Sequence, residues 1–189
     1  MNRQTFWNDL AKRGAVLGLL LSLSLIFEIY AQLSGNIWLM LLVVFEWIGV
    51  AVLHYILLHR YTRSFGNTFS VEEGFPFGRA YGYVILLSLF AGIVVALAQV
   101  VCVNYMIGYE AYIDGMIASM RSILAQSEMP QHMEPVMRDL FRQLQETPTP
   151  SILQVAWGAV SNTIFFGMIY GLIMAGVLSR SPKPFEKQE

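Results

Sequence analysis

The sequence has a single cysteine, few charges and no catalytic signature motif. Cys102 is the only cysteine among 189 residues and lies in an apolar run, which excludes an intramolecular disulfide and a cysteine-based metal site. The net charge of −1 gives no support to nucleic-acid binding. A Walker-type loop, GxSxG and HExxH are all missing from the sequence. We therefore expect neither enzyme activity nor a metal or other cofactor.

Charge is scarce throughout the chain, and two long stretches have none. Only 13% of the residues are charged, whereas 56% are hydrophobic. A typical soluble domain has roughly 25% charged residues. No Asp, Glu, Lys or Arg occurs in residues 80–109 or in residues 147–179. This composition predicts a membrane protein and not a soluble one.

Four apolar segments are long enough to cross a bilayer, which takes about 20 helical residues for about 30 Å of hydrocarbon. Ser34-Gly35-Asn36 joins the first two, with Gly35 suited to a left-handed helix cap and Asn36 suited to start the next helix. We predict an all-α fold: a polytopic membrane protein with four transmembrane helices in an antiparallel bundle, forming one membrane domain over residues 1–189. The predicted spans are 14–33, 37–58, 80–108 and 151–179.

Two shorter segments are predicted to lie at the membrane surface on the side of the termini. Residues 1–13 are amphipathic and are expected to lie along the interface. They do not begin a signal peptide, because Glu28 interrupts the apolar run and no A-x-A site follows. Residues 59–79 are expected to form a polar, aromatic loop at the interface. A phosphate or lipid-headgroup site in that loop is the alternative.

The only long polar segment, residues 109–150, is predicted to form an amphipathic helical hairpin over 109–147. Apolar residues recur at steps of three and four from Tyr109 to Leu124 and again from Met133 to Leu144. A break is expected at 128–134, and Thr147-Pro148 ends the second helix. The two apolar stripes are expected to pack on each other or on the membrane core. Alternatively, the methionine-rich stripe is a docking surface for another protein.

Basic residues are divided unequally between the two sides that four spans create. Nine of the twelve would lie on one side and three on the other. By the positive-inside rule, the side with the excess is cytoplasmic. We therefore expect both termini and the 59–79 loop in the cytoplasm, and residues 109–150 outside. The nine are Arg3, Lys12, Arg13, Arg60, Arg63, Arg79, Arg180, Lys183 and Lys187; the three are Arg121, Arg138 and Arg142.

Each predicted span places one polar side chain at a similar depth, about 12–16 Å from its outer end at 1.5 Å per residue. These residues form a candidate intramembrane polar layer: Ser24, Glu46, Gln99 and Asn162. An unpaired polar group in hydrocarbon is costly, so Glu46 is expected to be protonated or hydrogen-bonded to Gln99 or Asn162. Three interpretations are open. The layer is a structural clasp, meaning a set of buried hydrogen bonds that fixes the register of the helices, or it is a proton or ion relay or a binding site. In the third, Glu46 contacts a partner helix. Glu28 lies nearer the outer surface, within reach of water.

Small residues recur every fourth position in two of the spans. They are candidate helix-packing residues, since small side chains let helix backbones approach closely. The contact is expected within the bundle, with a homodimer seam as the alternative. The residues are Gly14, Gly18, Gly167, Gly171 and Ala175.

The sequence resembles a family of small four-helix bacterial inner-membrane proteins catalogued as a domain of unknown function. The resemblance rests on residues 2–7 (NRQTFW), on residues 75–83 (FPFGRAYGY), on outer helices ending in Thr147-Pro148, and on a glycine-rich last span. It implies a location in the bacterial inner membrane, with residues 109–150 periplasmic. Members of the family are encoded near glycosyltransferases that act on polyprenyl-phosphate carriers. The resemblance therefore implies an accessory subunit of envelope biosynthesis.

Two functional hypotheses follow. The first is a non-catalytic scaffold or accessory subunit for another membrane protein, with the lipid bilayer and either that protein or a second copy of the chain as partners. The second is a small-solute or ion/proton carrier that uses Glu46 at the membrane midplane. A carrier usually shows an internal repeat or paired broken helices. The sequence has no clear repeat and no proline within a span, which favours the first hypothesis.

Overall fold

The computed structural model describes residues 3–126 and 134–182, and these residues are largely helical. Four helices are long and apolar enough to cross a membrane: Gln4–Ser34, Ile37–Gly66, Phe77–Ile107 and Ile152–Leu178. The predicted all-α, four-span membrane fold is therefore confirmed. The helices are α1 (Arg3–Ser34), α2 (Ile37–Gly66), α3 (Phe77–Gln99), a π-helix that continues it (Val100–Ile107), α4 (Tyr109–Gln126), α5 (Glu134–Glu146) and α6 (Ile152–Leu178).

Helix α3 lies at the centre of the bundle and packs most extensively on α6 and α1. Glycines make these contacts close. A Cβ atom on Gly18 would lie 2.7 Å from the Ala91 carbonyl oxygen, and one on Gly167 would overlap the side chain of Ser88. The core between these helices is apolar and fully buried, and it includes Leu17, Val84, Leu87, Ala91, Met174 and Ala175.

The turn between α1 and α2 has the predicted chemistry. Gly35 takes a left-handed conformation with φ of 63°, which a residue without Cβ adopts at little cost. The Asn36 side chain accepts a hydrogen bond of 2.9 Å from the backbone N–H of Trp38 and so caps α2. The two helices therefore form the antiparallel pair that the sequence indicates.

Helix α2 is longer than predicted and runs to Gly66, so the connection to α3 spans residues 67–76 instead of 59–79. Aromatic packing accounts for the extra turns. Phe65 stacks on Tyr83 with ring centroids 4.2 Å apart, and the Arg13 guanidinium lies 5.3 Å from the centre of the Tyr61 ring. The same guanidinium donates a hydrogen bond of 2.9 Å to the Tyr61 carbonyl. The segment looks polar in sequence because Arg60, Arg63 and Ser64 cover its exposed side.

Residues 3–13, the described part of the predicted surface segment, are continuous with the first span and form the start of α1. Phe6 packs against Phe65 with ring centroids 5.5 Å apart, and Asp9 forms an ion pair of 2.8 Å with Arg13. The last described residues close the same end of the bundle. Arg180 pairs with Phe75 through two backbone hydrogen bonds of 2.9 and 2.8 Å. We call this the terminal end of the bundle and the opposite one the hairpin end.

At the hairpin end, the third span does not run straight on into α4. Gly108 has a φ of 89°, which ends the π-helix and redirects the chain. The Tyr112 hydroxyl of α4 then donates a hydrogen bond of 2.9 Å to Gln32 Oε1 near the end of α1. Helix α4 therefore lies against the end of the bundle.

Helix α5 packs on α4 through a cation–π contact. The Arg121 guanidinium lies 5.2 Å from the centre of the buried Phe141 ring. Helix α5 ends at Glu146, directly before Thr147-Pro148 as predicted. Most of the predicted break at 128–134 lies outside the described residues.

Candidate functional site

A cavity of about 480 Å³, partly open to the surface of the bundle, lies between α1, α2 and α6, where α3 contributes Val95 to its wall. Its size falls in the range of about 300–1,000 Å³ that is usual for small-molecule sites. The walls are mainly apolar, as at Leu25, Val50 and Phe166. A few polar side chains face one another across it, which is the composition expected of a binding site. The polar and aromatic members of the lining are Ser24, Glu28, Trp47, His54, Asn162, Thr163, Phe166 and Tyr170.

Glu28 is the acidic group of the cavity and lies toward the hairpin end, about 9 Å along α1 from Ser34. The indole N–H of Trp47 donates a hydrogen bond of 2.7 Å to Glu28 Oε1, and the Ser24 hydroxyl donates to the same oxygen at 3.3 Å. No other described residue donates to this carboxylate. The second carboxylate oxygen, Oε2, is therefore left for a ligand or for water.

The charge of the same carboxylate affects the pKa of Tyr112 on α4, which lies outside the spans. Burial raises the pKa of the Tyr112 hydroxyl, and the charges of Tyr109 and Glu28 raise it further. The hydrogen bond from Tyr112 to Gln32 fixes this ring at the end of α1. Helix α4 therefore lies near enough to Glu28 for the charge of this carboxylate to act on Tyr112.

His54 marks the other end of the cavity. Its side chain is only 5% exposed, and its Nε2 atom has no hydrogen-bond partner among the described residues. The ring lies 4.8 Å from the ring of Tyr170 on α6. His54 is seven residues beyond Trp47 on α2, so the polar groups at the two ends are separated by about 10 Å along the bundle. A buried polar atom without a partner is uncommon. Because Nε2 has almost no accessible surface, other atoms of His54 form its part of the cavity wall.

The predicted polar layer is only partly assembled. Ser24 and Asn162 both line the cavity, whereas Glu46 and Gln99 do not. The expected hydrogen bond from Glu46 to Gln99 or Asn162 is not formed. Instead, Glu46 Oε2 is buried without a hydrogen-bond partner among the described residues.

The two ionisable groups at the ends of the cavity, Glu28 and His54, are not among the site residues that the sequence predicts. The sequence places Glu28 near the outer surface, within reach of water, and indicates no role for His54. Their depths could be estimated from the sequence, but not the faces of α1 and α2 on which they lie. A signal was nevertheless present, since Glu28 and His54 are two of the few ionisable side chains within the spans.

The helix-packing residues lie away from the cavity and set its walls indirectly. Gly14 and Gly18 of α1 are buried against Phe90 and Ala91 of α3. On α6, Gly167 and Gly171 are buried against α3 as well, and Ala175 is fully buried. These contacts fix the rotation of α1 and α6 about their axes, and thereby turn Ser24, Glu28 and Asn162 toward the cavity.

No curated protein and no solved structure matches the chain. A family model described as "Protein of unknown function (DUF4199)" matches residues 12–180. The match covers nearly all of the four spans, the cavity between them and the helical hairpin. It confirms the resemblance to a family of unknown function. The chain is therefore a membrane protein that belongs to the family described as "Protein of unknown function (DUF4199)".

Proposed function

We propose that the protein is a non-catalytic membrane protein that binds a small amphipathic molecule in the cavity between α1, α2 and α6. The observation that carries the proposal is a cavity of about 480 Å³ with mainly apolar walls, which is lined by the carboxylate of Glu28 at one end and by His54 at the other. The apolar walls match the hydrocarbon part of such a molecule, and Glu28 matches its polar group.

The arrangement of the polar groups favours binding over catalysis. Glu28, His54 and Tyr170 are the cavity groups that could exchange protons with a substrate, and His54 and Tyr170 lie together at one end. Glu28 is separated from His54 by about 10 Å along the bundle, so the two do not reach the same reacting atom. They are well placed to hold the two ends of one molecule. This proposal keeps the carrier hypothesis but replaces Glu46 with Glu28 and His54.

Occupancy of the cavity can be tested by making the same substitution, valine to phenylalanine, at two positions on α2. Val50 lines the cavity, whereas Val52 is 53% exposed and faces outward. Native mass spectrometry of protein purified from membranes in mild detergent should show a 1:1 small-molecule adduct for wild type and for Val52→Phe. The adduct should be lost in Val50→Phe, which fills the cavity. Equal adducts in all three proteins, or none in any, would contradict the proposal.

The proposed orientation places both termini in the cytoplasm of a bacterial inner membrane and the hairpin end in the periplasm. It is supported by the positive-inside rule, because Arg13, Arg60, Arg63, Arg79 and Arg180 all lie toward the terminal end. Cysteines can test it in a Cys102→Ser background. An impermeant thiol reagent on intact spheroplasts should label Gln143→Cys and leave Glu72→Cys unlabelled. The reverse labelling would contradict the orientation.

A second candidate function is that of an accessory subunit that holds another membrane protein, with a polyprenyl-phosphate glycosyltransferase as the expected partner. Glu46 is the observation that favours it. Its side chain is only partly buried, and the residue lies about 14 Å into α2. A carboxyl group at such depth is costly unless it is paired, and a helix of another protein packed on this face of α2 could supply the pair.

The accessory role predicts that the protein migrates in a larger complex when it is extracted from native membranes in mild detergent. Light scattering should show that wild type and Val52→Phe share this complex, while Glu46→Leu is released from it. If all three proteins have the mass of the single chain in detergent, the accessory role is wrong.

A further inference from the structure

We propose that the molecule bound in the cavity is an organic cation: an ammonium or similar group paired with Glu28, on an apolar body that extends toward His54. This inference rests on the proposed function, since it names the class of ligand for the same cavity. Four features of the cavity carry it: its charge, its aromatic lining, the free oxygen of Glu28 and the position of His54.

The charge of the cavity favours a cation. Among the described residues that line it, Glu28 is the only carboxylate and none is a lysine or arginine. The one ion pair between described residues is that of Asp9 with Arg13, at the terminal end of the bundle. Glu28 therefore has no counter-ion within the described chain. A positively charged ligand supplies that counter-ion, whereas an anion would be repelled.

The two hydrogen bonds to Glu28 leave room for such a ligand. Trp47 and Ser24 both donate to Oε1, and no described residue donates to Oε2. An ammonium group has only donors, so it complements the free carboxylate oxygen. A ligand hydroxyl would make the same contact without the gain from the opposite charge.

The aromatic lining supports the same class of ligand. Trp47, Phe166 and Tyr170 contribute rings to the cavity. The faces of such rings attract cations, and the attraction grows when the cation is removed from water. Apolar side chains such as Leu25 and Val95 complete the wall and match a hydrocarbon body.

His54 sets the shape of the ligand. The residue lines the cavity about 10 Å along the bundle from the level of Trp47 and Glu28. A molecule that spans the cavity therefore has its charge at one end and a ring or a hydrogen-bonding atom at the other. Short amines with an apolar body, such as 4-phenylbutylammonium, approximate this outline and have neutral and anionic analogues.

The test uses purified full-length protein in phosphatidylcholine nanodiscs and radiolabelled 4-phenylbutylammonium as the probe, with binding followed by scintillation proximity. Unlabelled 4-phenylbutylammonium should compete at least about tenfold better than 4-phenylbutanol or 4-phenylbutyrate. Glu28→Gln should weaken probe binding by about tenfold or more. Glu46→Gln removes the other carboxyl group of the spans, outside the cavity, and should leave binding unchanged.

The outcomes separate the ligand class from the site. If the alcohol or the acid competes as well as the amine, or Glu28→Gln binds as tightly as wild type, the ligand is not selected as a cation. Cavity binding still stands in that case, provided that Val50→Phe abolishes binding of the probe. If Val50→Phe binds the probe as wild type does, the cavity is not the site and the proposed function itself is wrong. The competition series on wild type decides the ligand class even if Glu28→Gln does not fold.

Discussion

The indole N–H of Trp47 on α2 donates a hydrogen bond of 2.7 Å to Glu28 Oε1 on α1, inside the segment that crosses the membrane. Helix α2 packs less on the rest of the bundle than either α1 or α6 packs on α3. This bond therefore links the least anchored span to the acidic residue of the cavity. It also orients the carboxylate, because Trp47 and Ser24 hold one of its two oxygens.

Removal of that donor should loosen α2. We expect Trp47→Phe to lower the free energy of unfolding by about 0.5–2 kcal/mol, the range for hydrogen bonds between membrane helices and to a charged group. Trp38→Phe is the matched control, since Trp38 lies on the same helix and is 72% exposed. Chemical unfolding in mixed micelles measures both. An equal change in the two variants would mean that the bond contributes nothing to stability.

A second prediction about stability follows from the contact of Gly167 with Ser88. A methyl group on Gly167 would overlap the Ser88 side chain, so Gly167→Ala should cost about 1–3 kcal/mol from overpacking. Gly158→Ala on the same helix is the control, because no atom lies within 4 Å of the position that its Cβ would take. Adding Ser88→Gly should restore the stability lost in Gly167→Ala. If the double variant is as unstable as the single one, this contact does not set the spacing of α3 and α6.

The four spans were predictable because a helix that crosses the bilayer needs a certain length and an apolar composition, and both are visible in the sequence. The turn at Gly35 and Asn36 was predictable for a similar reason, since its chemistry is local. The ends of the helices were not. The last turns of α2 depend on the contacts of Phe65 and Tyr61 with Tyr83 and Arg13, residues that are distant in sequence.

The cavity could not be derived from the sequence because depth alone does not determine direction. Counting residues placed Ser24, Glu46, Gln99 and Asn162 at one level, but only Ser24 and Asn162 line the cavity. The rotation of each helix follows from close contacts such as Gly18 with Ala91 and Gly167 with Ser88. Those contacts depend on which helices pack against one another, and the sequence alone does not show that.

Glu46 provides a prediction opposite to that of a structural clasp. Its Oε2 atom is buried without a hydrogen-bond partner among the described residues, so Glu46→Leu removes an unpaired polar group. We expect this substitution to raise the free energy of unfolding of the purified chain by about 1–2 kcal/mol. A clasp would instead be weakened by the loss of its hydrogen bonds. Thermal unfolding of wild type and Glu46→Leu in the same detergent decides between these results.

Tyr112 gives a prediction that depends on pH. Its pKa is raised from the ordinary value of 10.0, mainly by burial, so the folded state favours the neutral phenol. The stability that this provides is present below pH 10 and is lost as the pH rises through the higher folded value. Glu28→Gln should lower the pKa of Tyr112 while leaving it above 10, because burial persists. Carbon NMR of labelled tyrosine, assigned with Tyr112→Phe, measures the titration, and an unchanged pKa in Glu28→Gln would show that the charge of Glu28 does not reach this ring.

The central claim is that the space between α1, α2 and α6 admits a ligand within the membrane. The most direct test is the rate at which 2-aminoethyl methanethiosulfonate modifies Val50→Cys and Val52→Cys in a Cys102→Ser background. The reagent should modify Val50→Cys, which lines the cavity, and 4-phenylbutylammonium should slow the reaction. Val52→Cys, with its thiol toward the lipid, should stay unmodified. Modification of Val50→Cys no faster than that of Val52→Cys would contradict the account.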